Sequence, residues 1–130
     1  MTVGVRLLLV RGNDVLLVRH TYLPGWYLPG GGVGRGETIE EAARREAAEE
    51  LGAELGELSL LGVYANRREG KTDHVVVLVC RAFALGEMRD GEIAEARFFS
   101  LQALPGDASP GTRRRLVEYT EGGGPRLAVW

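Results

Sequence analysis

The chain has 130 residues, of which 45% are apolar and 26% charged, and a formal net charge of −2. That length suits one domain able to bury roughly two-thirds of its unfolded surface, with no room for a second. The charge balance gives no general attraction to nucleic acid or to an anionic membrane, so a polyanionic substrate would need a local basic patch or bridging cations.

The N-terminus lacks the pattern of a signal peptide, because Arg6 interrupts the apolar run from Val3 to Val10. No apolar stretch reaches the length required to span a bilayer. The single cysteine, Cys80, ends the apolar run Val75 to Val79 and excludes an intrachain disulfide, so the expected setting is cytoplasmic and the thiol is expected to be inert core.

In chain order, Val3 to Val10 and Val15 to Arg19 read as a β-hairpin turning at Gly12-Asn13-Asp14. Arg19 and His20 end the second strand, and Thr21 to Gly25 is a loop by its Pro-Gly content. Arg19 and Tyr22 are candidate substrate contacts, with a solvated strand end as the competing account. Trp26, Tyr27 and Leu28 read as a short strand entering glycines at 30, 31, 32, 34 and 36, which let the backbone approach a ligand closely.

The run from Thr38 to Gly52 predicts a helix. Thr38 caps it, Glu41 completes a capping box, Gly52 closes it, and Ile39, Ala43, Ala47 and Leu51 form an apolar stripe with small side chains that permit close packing on a sheet. The segment is also acidic. Eight of the chain's 18 Asp and Glu residues lie between Glu37 and Glu57. Glu46, Glu49 and Glu50, spaced i, i+3 and i+4, project from one patch and repel one another. Either Arg44 and Arg45 neutralise them or a hard divalent cation does, since carboxylate oxygen is its preferred ligand.

Gly31, Glu37, Arg45, Glu46, Glu49, Glu50 and Gly52 stand at the spacing of the Nudix signature, which this chain resembles. The apolar slots of that signature hold Ala47 and Ala53 where bulkier aliphatics are usual, a departure that concerns packing. The resemblance implies an α/β/α sandwich with a mixed sheet between helices. It further implies metal-dependent hydrolysis of a diphosphate bond in a nucleoside diphosphate linked to another group, releasing a nucleoside monophosphate. It assigns Mg²⁺, with Mn²⁺ as an alternative, to Glu46, Glu49, Glu50 and the Gly30 carbonyl. Glu49 and Glu50 are the foremost direct ligands. Arg45 orients a carboxylate, Glu37 braces loop against helix, and a glutamate near residue 92 acts as an added ligand or general base, with Glu92 preferred over Glu95. The rival reading is a non-catalytic nucleotide-binding regulatory module, which the intact set of glutamates disfavours.

Beyond the helix, Leu58 to Asn66 and Val75 to Cys80 read as strands, the second as a central one covered on both faces. Arg67 and Arg68, in the loop between them, are candidate phosphate contacts, and Tyr64 and Trp26 candidate recognition aromatics. Met88 to Ala96 reads as a polar connection into a short strand, Arg97-Phe98-Phe99. Ser109-Pro110 opens a last helix expected to turn Leu116 and Tyr119 inward and Arg113, Arg114 and Arg115 outward. Arg126 to Trp130 is either an extra edge strand or a dimer contact. In all, two helices and about six strands are expected. The implied partner is a small nucleotide, with no stable nucleic acid and no membrane, and a homodimer is an option for so small a chain.

Overall fold

The computed structural model describes residues 1–88 and 91–130, with the side chain of Arg68 outside the described part. The elements are β1 (Thr2–Arg11), β2 (Asp14–His20), β3 (Gly30–Gly32), α1 (Ile39–Leu51), β4 (Glu54–Leu55), β5 (Leu58–Arg68), β6 (Lys71–Cys80), β7 (Phe83–Ala84), β8 (Ile93–Ser100), α2 (Pro110–Glu121) and β9 (Arg126–Val129). The main sheet runs β8-β2-β1-β6-β5-β9, with β3 added to β1, while β4 and β7 pair separately. It is mixed. β1 pairs with β6, and β5 with β9, in parallel, and the other pairings are antiparallel.

Alternation along β1 explains the two layers of core. Val5, Leu7 and Leu9 face α1 and join Leu16, Val18, Ala43, Ala47 and Leu51, whereas Leu8 and Val10 face the other way and join Val15, Leu17, Val77 and Leu116 of α2. A central strand covered on both faces must be apolar on both, which is why β1 reads as a near-continuous run. The expected α/β/α sandwich is the architecture seen.

α1 begins and ends as its sequence dictates. The Thr38 side chain accepts from the Glu41 N–H, Glu41 accepts from the Thr38 N–H at 2.9 Å, and Gly52 closes the helix in the left-handed region at φ 58°. Buried Ala42, Ala43 and Ala47 let α1 lie close to β1 and β3.

Four expectations need correction. Trp26 to Leu28 is not a strand. Held between Pro24 and Pro29, it makes only single bridges, Tyr27 to Val18 and Trp26 to Ala108. The last sheet-forming stretch before α2 starts earlier than expected, at Ile93, so Glu95 and Ala96 belong to β8 and pair with Arg19 and Val18. Among the described residues nine strands stand where about six were expected, two of them being the two-residue β4 and β7. Arg115 does not face out. It is 1% exposed, ion-paired with Glu118 at 3.0 Å, and its guanidinium lies 3.9 Å from the centre of the Tyr64 ring. The edge-strand option for the C-terminal segment is the one realised, as β9 beside β5.

Candidate active site

The glycine strand β3 carries α1's acids to the sheet. Its residues pair with β1, Arg6 opposite Gly30 and Val5 opposite Gly31. A side chain at either glycine is excluded for a different reason. At Gly30, where φ is +148°, a Cβ would lie 2.0 Å from the Val5 carbonyl oxygen. At Gly31 a Cβ would lie 2.6 Å from the Glu46 carboxyl carbon. Two of the helix carboxylates therefore meet this strand, since the buried Glu50 also accepts the Gly30 N–H at 2.8 Å.

Arg45 is the hub of the remaining acids. It donates to Glu37 at 2.7 and 2.9 Å, to Glu46 at 2.9 Å, to Glu49 at 3.2 Å and to the Gly32 carbonyl at 3.0 Å. The Arg45 guanidinium, helped by the Gly34 N–H, holds the Glu37 carboxyl at about 2, well below the usual range. Reciprocally, Glu37 and Glu46 push Arg45 further up. Arg44 takes no part. It donates to the Leu55 and Gly56 carbonyls, so of the two arginines only Arg45 counters the signature acids. One guanidinium against Glu37, Glu46 and Glu49 leaves an excess of negative charge.

Position sharpens this excess. Glu49 and Glu50 occupy the last turn of α1, where the helix already presents partial negative charge and no basic residue stands. The donor set of carboxylate oxygens beside a glycine backbone fits a hard divalent cation in its chemistry. Among the described residues no three acids are gathered tightly enough to hold one as they stand. Glu46 and Glu49 face Arg45 here, and exposed Glu49 is the one best able to turn away.

Gly31 and Gly32 also line a cleft of about 950 Å³. Arg6, Asn66, Asp73, the first turn of α2 and Trp130 form its walls. The Arg6 guanidinium donates to the Leu28 carbonyl at 3.3 Å, and Asp73 accepts from the Thr2 hydroxyl. Arg67 and Arg114 also line this cleft.

Other candidates stand elsewhere. Arg19 is bonded to Glu95 at 2.9 Å and lies over Trp26, and Tyr22 is exposed beside His20; neither lines the cleft. Glu95 is also held by Arg97, while the Glu92 main-chain oxygen accepts from Thr21 at 2.9 Å. Arg68's side chain, and residues 89 and 90 in the connection to β8, lie outside the described residues. Trp26 is buried against Phe99 as a packing anchor. Tyr64 is wholly buried and so cannot touch substrate; that burial and its bond to Glu118 push it up to about 12. The reading from sequence missed Arg6 and Asn66 as cleft residues. Its only available signal for Arg6 was a lone cation inside an apolar strand.

The architecture is thus a mixed sheet between two helices, with a glycine strand set against a helix that bears the acid signature. The family profile described as NUDIX domain matches residues 1–119, and the chain belongs to the Nudix hydrolase family. It is 40% identical over 108 residues to an ADP-ribose pyrophosphatase of Methanocaldococcus jannaschii, covering 79% of this chain and 64% of that protein. It is 36% identical over 103 residues to the NAD-capped RNA hydrolase NudC of Pseudomonas aeruginosa, covering 75% of this chain and 36% of that protein. Among solved structures, that of a MutT NUDIX hydrolase from Burkholderia pseudomallei superposes with a TM-score of 0.80 at 32% identity, covering 90% of this chain and 96% of that one. The chain thus spans just under two-thirds of the archaeal relative's length and about a third of NudC's. No helix among the described residues is long and apolar enough to cross a membrane.

Proposed function

We propose that this chain is a metal-dependent pyrophosphohydrolase that cleaves the diphosphate of a nucleoside diphosphate linked to another group and releases a nucleoside monophosphate. One observation carries the reading: Gly31 lines the cleft and at the same time backs onto the Glu46 carboxylate, so substrate space and acid cluster share one wall. Glu46, Glu49, Glu50 and the Gly30 carbonyl would hold Mg²⁺ or Mn²⁺. A cation bound there supplies Lewis acidity toward the diphosphate and toward water.

The chain's own groups do the positioning. Arg45 keeps Glu46 and Glu49 beside β3, and Glu37 in turn fixes Arg45, so that the acids stay close together until a cation draws them off the guanidinium. Arg6 and Arg67 bring positive charge into the cleft of a chain whose net charge is negative, which suits an anionic ligand. Glu92 is the proposed general base, with Glu95 the alternative from the same connection. The cleft's volume is near the upper end of small-ligand sites, on the order of 1,000 Å³, which suits a nucleotide carrying a second group such as the ADP-ribose of the archaeal relative's name.

The test is incubation with ADP-ribose, nucleoside triphosphates and nucleotide sugars, with Mg²⁺, Mn²⁺ or chelator, following nucleotide and phosphate products. Metal-dependent release of a nucleoside monophosphate is expected. Turnover that survives chelation would sink the proposal.

A further inference from the structure

β9 lies beyond residues 1–119, the part that matches the family profile, yet it delivers a wall of the cleft. Trp130 follows β9 and is pinned at several points. Its N–H donates to the Ala65 carbonyl at 3.0 Å, and its main-chain oxygen accepts from Arg114 and Arg115, each at 2.9 Å. The indole packs edge-on to Tyr64 at 5.9 Å between ring centres and takes the Arg115 guanidinium over it at 4.8 Å. Its pyrrole edge sits so close to the first turn of α2 that a Cβ on Gly111 would lie 2.4 Å from Nε1. Trp130 is nevertheless only partly buried and lines the cleft.

Such an investment in one side chain exceeds what an edge strand needs. Burying Arg115 brings a charge out of water, which is costly unless the charge is paired and packed, and here it is paired with Glu118 and sandwiched between Tyr64 and Trp130. The result is an aromatic surface whose rotamer is set in advance, on the wall of a cleft containing Arg6 and Arg67. A rigid indole facing such a cleft suits a planar ring attached to an anionic chain.

We propose that Trp130 is a specificity-determining residue that stacks the base of the nucleotide, with Arg115 as the positioning residue that holds its indole against Gly111. The inference rests on the cleft being the substrate site of the hydrolase proposed above. Its consequence is a preference for diphosphates carrying a nucleobase over those without one.

The experiment combines binding and kinetics. Tryptophan emission is followed while AMP or, separately, ribose 5-phosphate is titrated into the unaltered protein and into Trp130→Phe, which leaves only the buried Trp26 as emitter. AMP should quench the unaltered protein, ribose 5-phosphate should not, and the variant should not respond. In turnover of ADP-ribose, Trp130→Leu should raise KM about tenfold with a smaller change in kcat, as expected for one lost base stack. Gly111→Ala, which keeps the indole but must displace it, should raise KM in the same direction, and far-UV circular dichroism reports whether each variant is folded. Unchanged KM in both folded variants overturns the proposal, as does equal quenching by ribose 5-phosphate. If the unaltered protein hydrolyses no diphosphate while AMP still quenches Trp130 emission, the hydrolase reading falls and the stacking wall stands.

Discussion

Gly30 and Gly31 are adjacent, yet their replacement by alanine should fail in opposite ways. At Gly30→Ala the new Cβ meets backbone, the Val5 carbonyl oxygen at 2.0 Å and Arg6 Cα at 2.9 Å, and φ of +148° is itself strained for an L-residue. Backbone cannot yield as a side chain can, so β3 must part from β1, and about 2–4 kcal/mol of stability should be lost. At Gly31→Ala φ is ordinary, and the atoms met are the far end of a flexible side chain, the Glu46 carboxylate at 2.6 to 2.7 Å. A normal contact needs about 3.5 Å or more, so the carboxylate must retreat by roughly 1 Å. Stability should be kept within about 1 kcal/mol, helped by the stiffer unfolded chain. Displacing a catalytic group by such an amount costs on the order of 100-fold in rate. Urea unfolding and ADP-ribose turnover on both variants separate the two effects. A Gly31→Ala protein with full activity would refute the placement of Glu46 in the catalytic site, and a Gly30→Ala protein of undiminished stability would refute the backbone argument.

Other consequences are as direct. Glu50→Gln can still accept the Gly30 N–H, so its unfolding midpoint should stay near that of the unaltered protein while Mg²⁺-dependent turnover falls about 10²–10³-fold; retention of full turnover would remove Glu50 from the metal set. Mg²⁺ should raise the melting temperature more than NaCl of equal ionic strength, because it relieves repulsion among Glu46, Glu49 and Glu50, and a 100-fold excess over Kd corresponds to about 2.7 kcal/mol. Glu37, depressed to about 2 by Arg45 and the Gly34 N–H, contributes stability that is full above its ordinary 4.5 and is lost as pH falls through about 2. Acid unfolding of Arg45→Met should therefore show a weaker dependence on pH in that window. Arg115→Met, which leaves Glu118 without its buried partner, should lose about 3 kcal/mol in urea, and adding Glu118→Gln should recover part of it.

What could be read from the sequence was whatever one segment decides for itself. The capping box at Thr38 and Glu41 and the αL closure at Gly52 are set by spacings of three or four residues, and each is found as expected, whereas Glu46, Glu49 and Glu50 do not form one surface patch, because Glu50 is buried against Gly30 while Glu46 and Glu49 turn to Arg45. The Arg126 to Trp130 edge strand was legible as an alternative only, because its partner, β5, lies some sixty residues earlier. Arg115 was misread for a related reason. Three consecutive arginines on a helix ordinarily indicate a solvated face, and only the folded chain brings Tyr64 and Trp130 over the third of them. Arg6 gave a signal that was applied to the wrong question. A cation within an apolar strand was used to exclude a signal peptide, when the alternation of β1 already placed it on the face opposite Val5 and Leu7.

The acid helix and the cleft are opposite cases of local conflict. In α1, Glu49 and Glu50 stand at the helix end where the macrodipole disfavours them, and the only arginine among the signature acids is shared by Glu37, Glu46 and Glu49. A helix selected for stability alone would carry lysine there, and the cation proposed above would account for the arrangement. Behind the cleft wall at Trp130 the conflict runs the other way. Arg115 is a charge withdrawn from water and compensated within the chain by Glu118 and two aromatic rings, so it needs no ligand and instead makes Trp130 rigid. The first site is incomplete until something binds, while the second is complete beforehand. That division suits a hydrolase whose chemistry is supplied by an exchangeable ion and whose selectivity is supplied by a preformed wall.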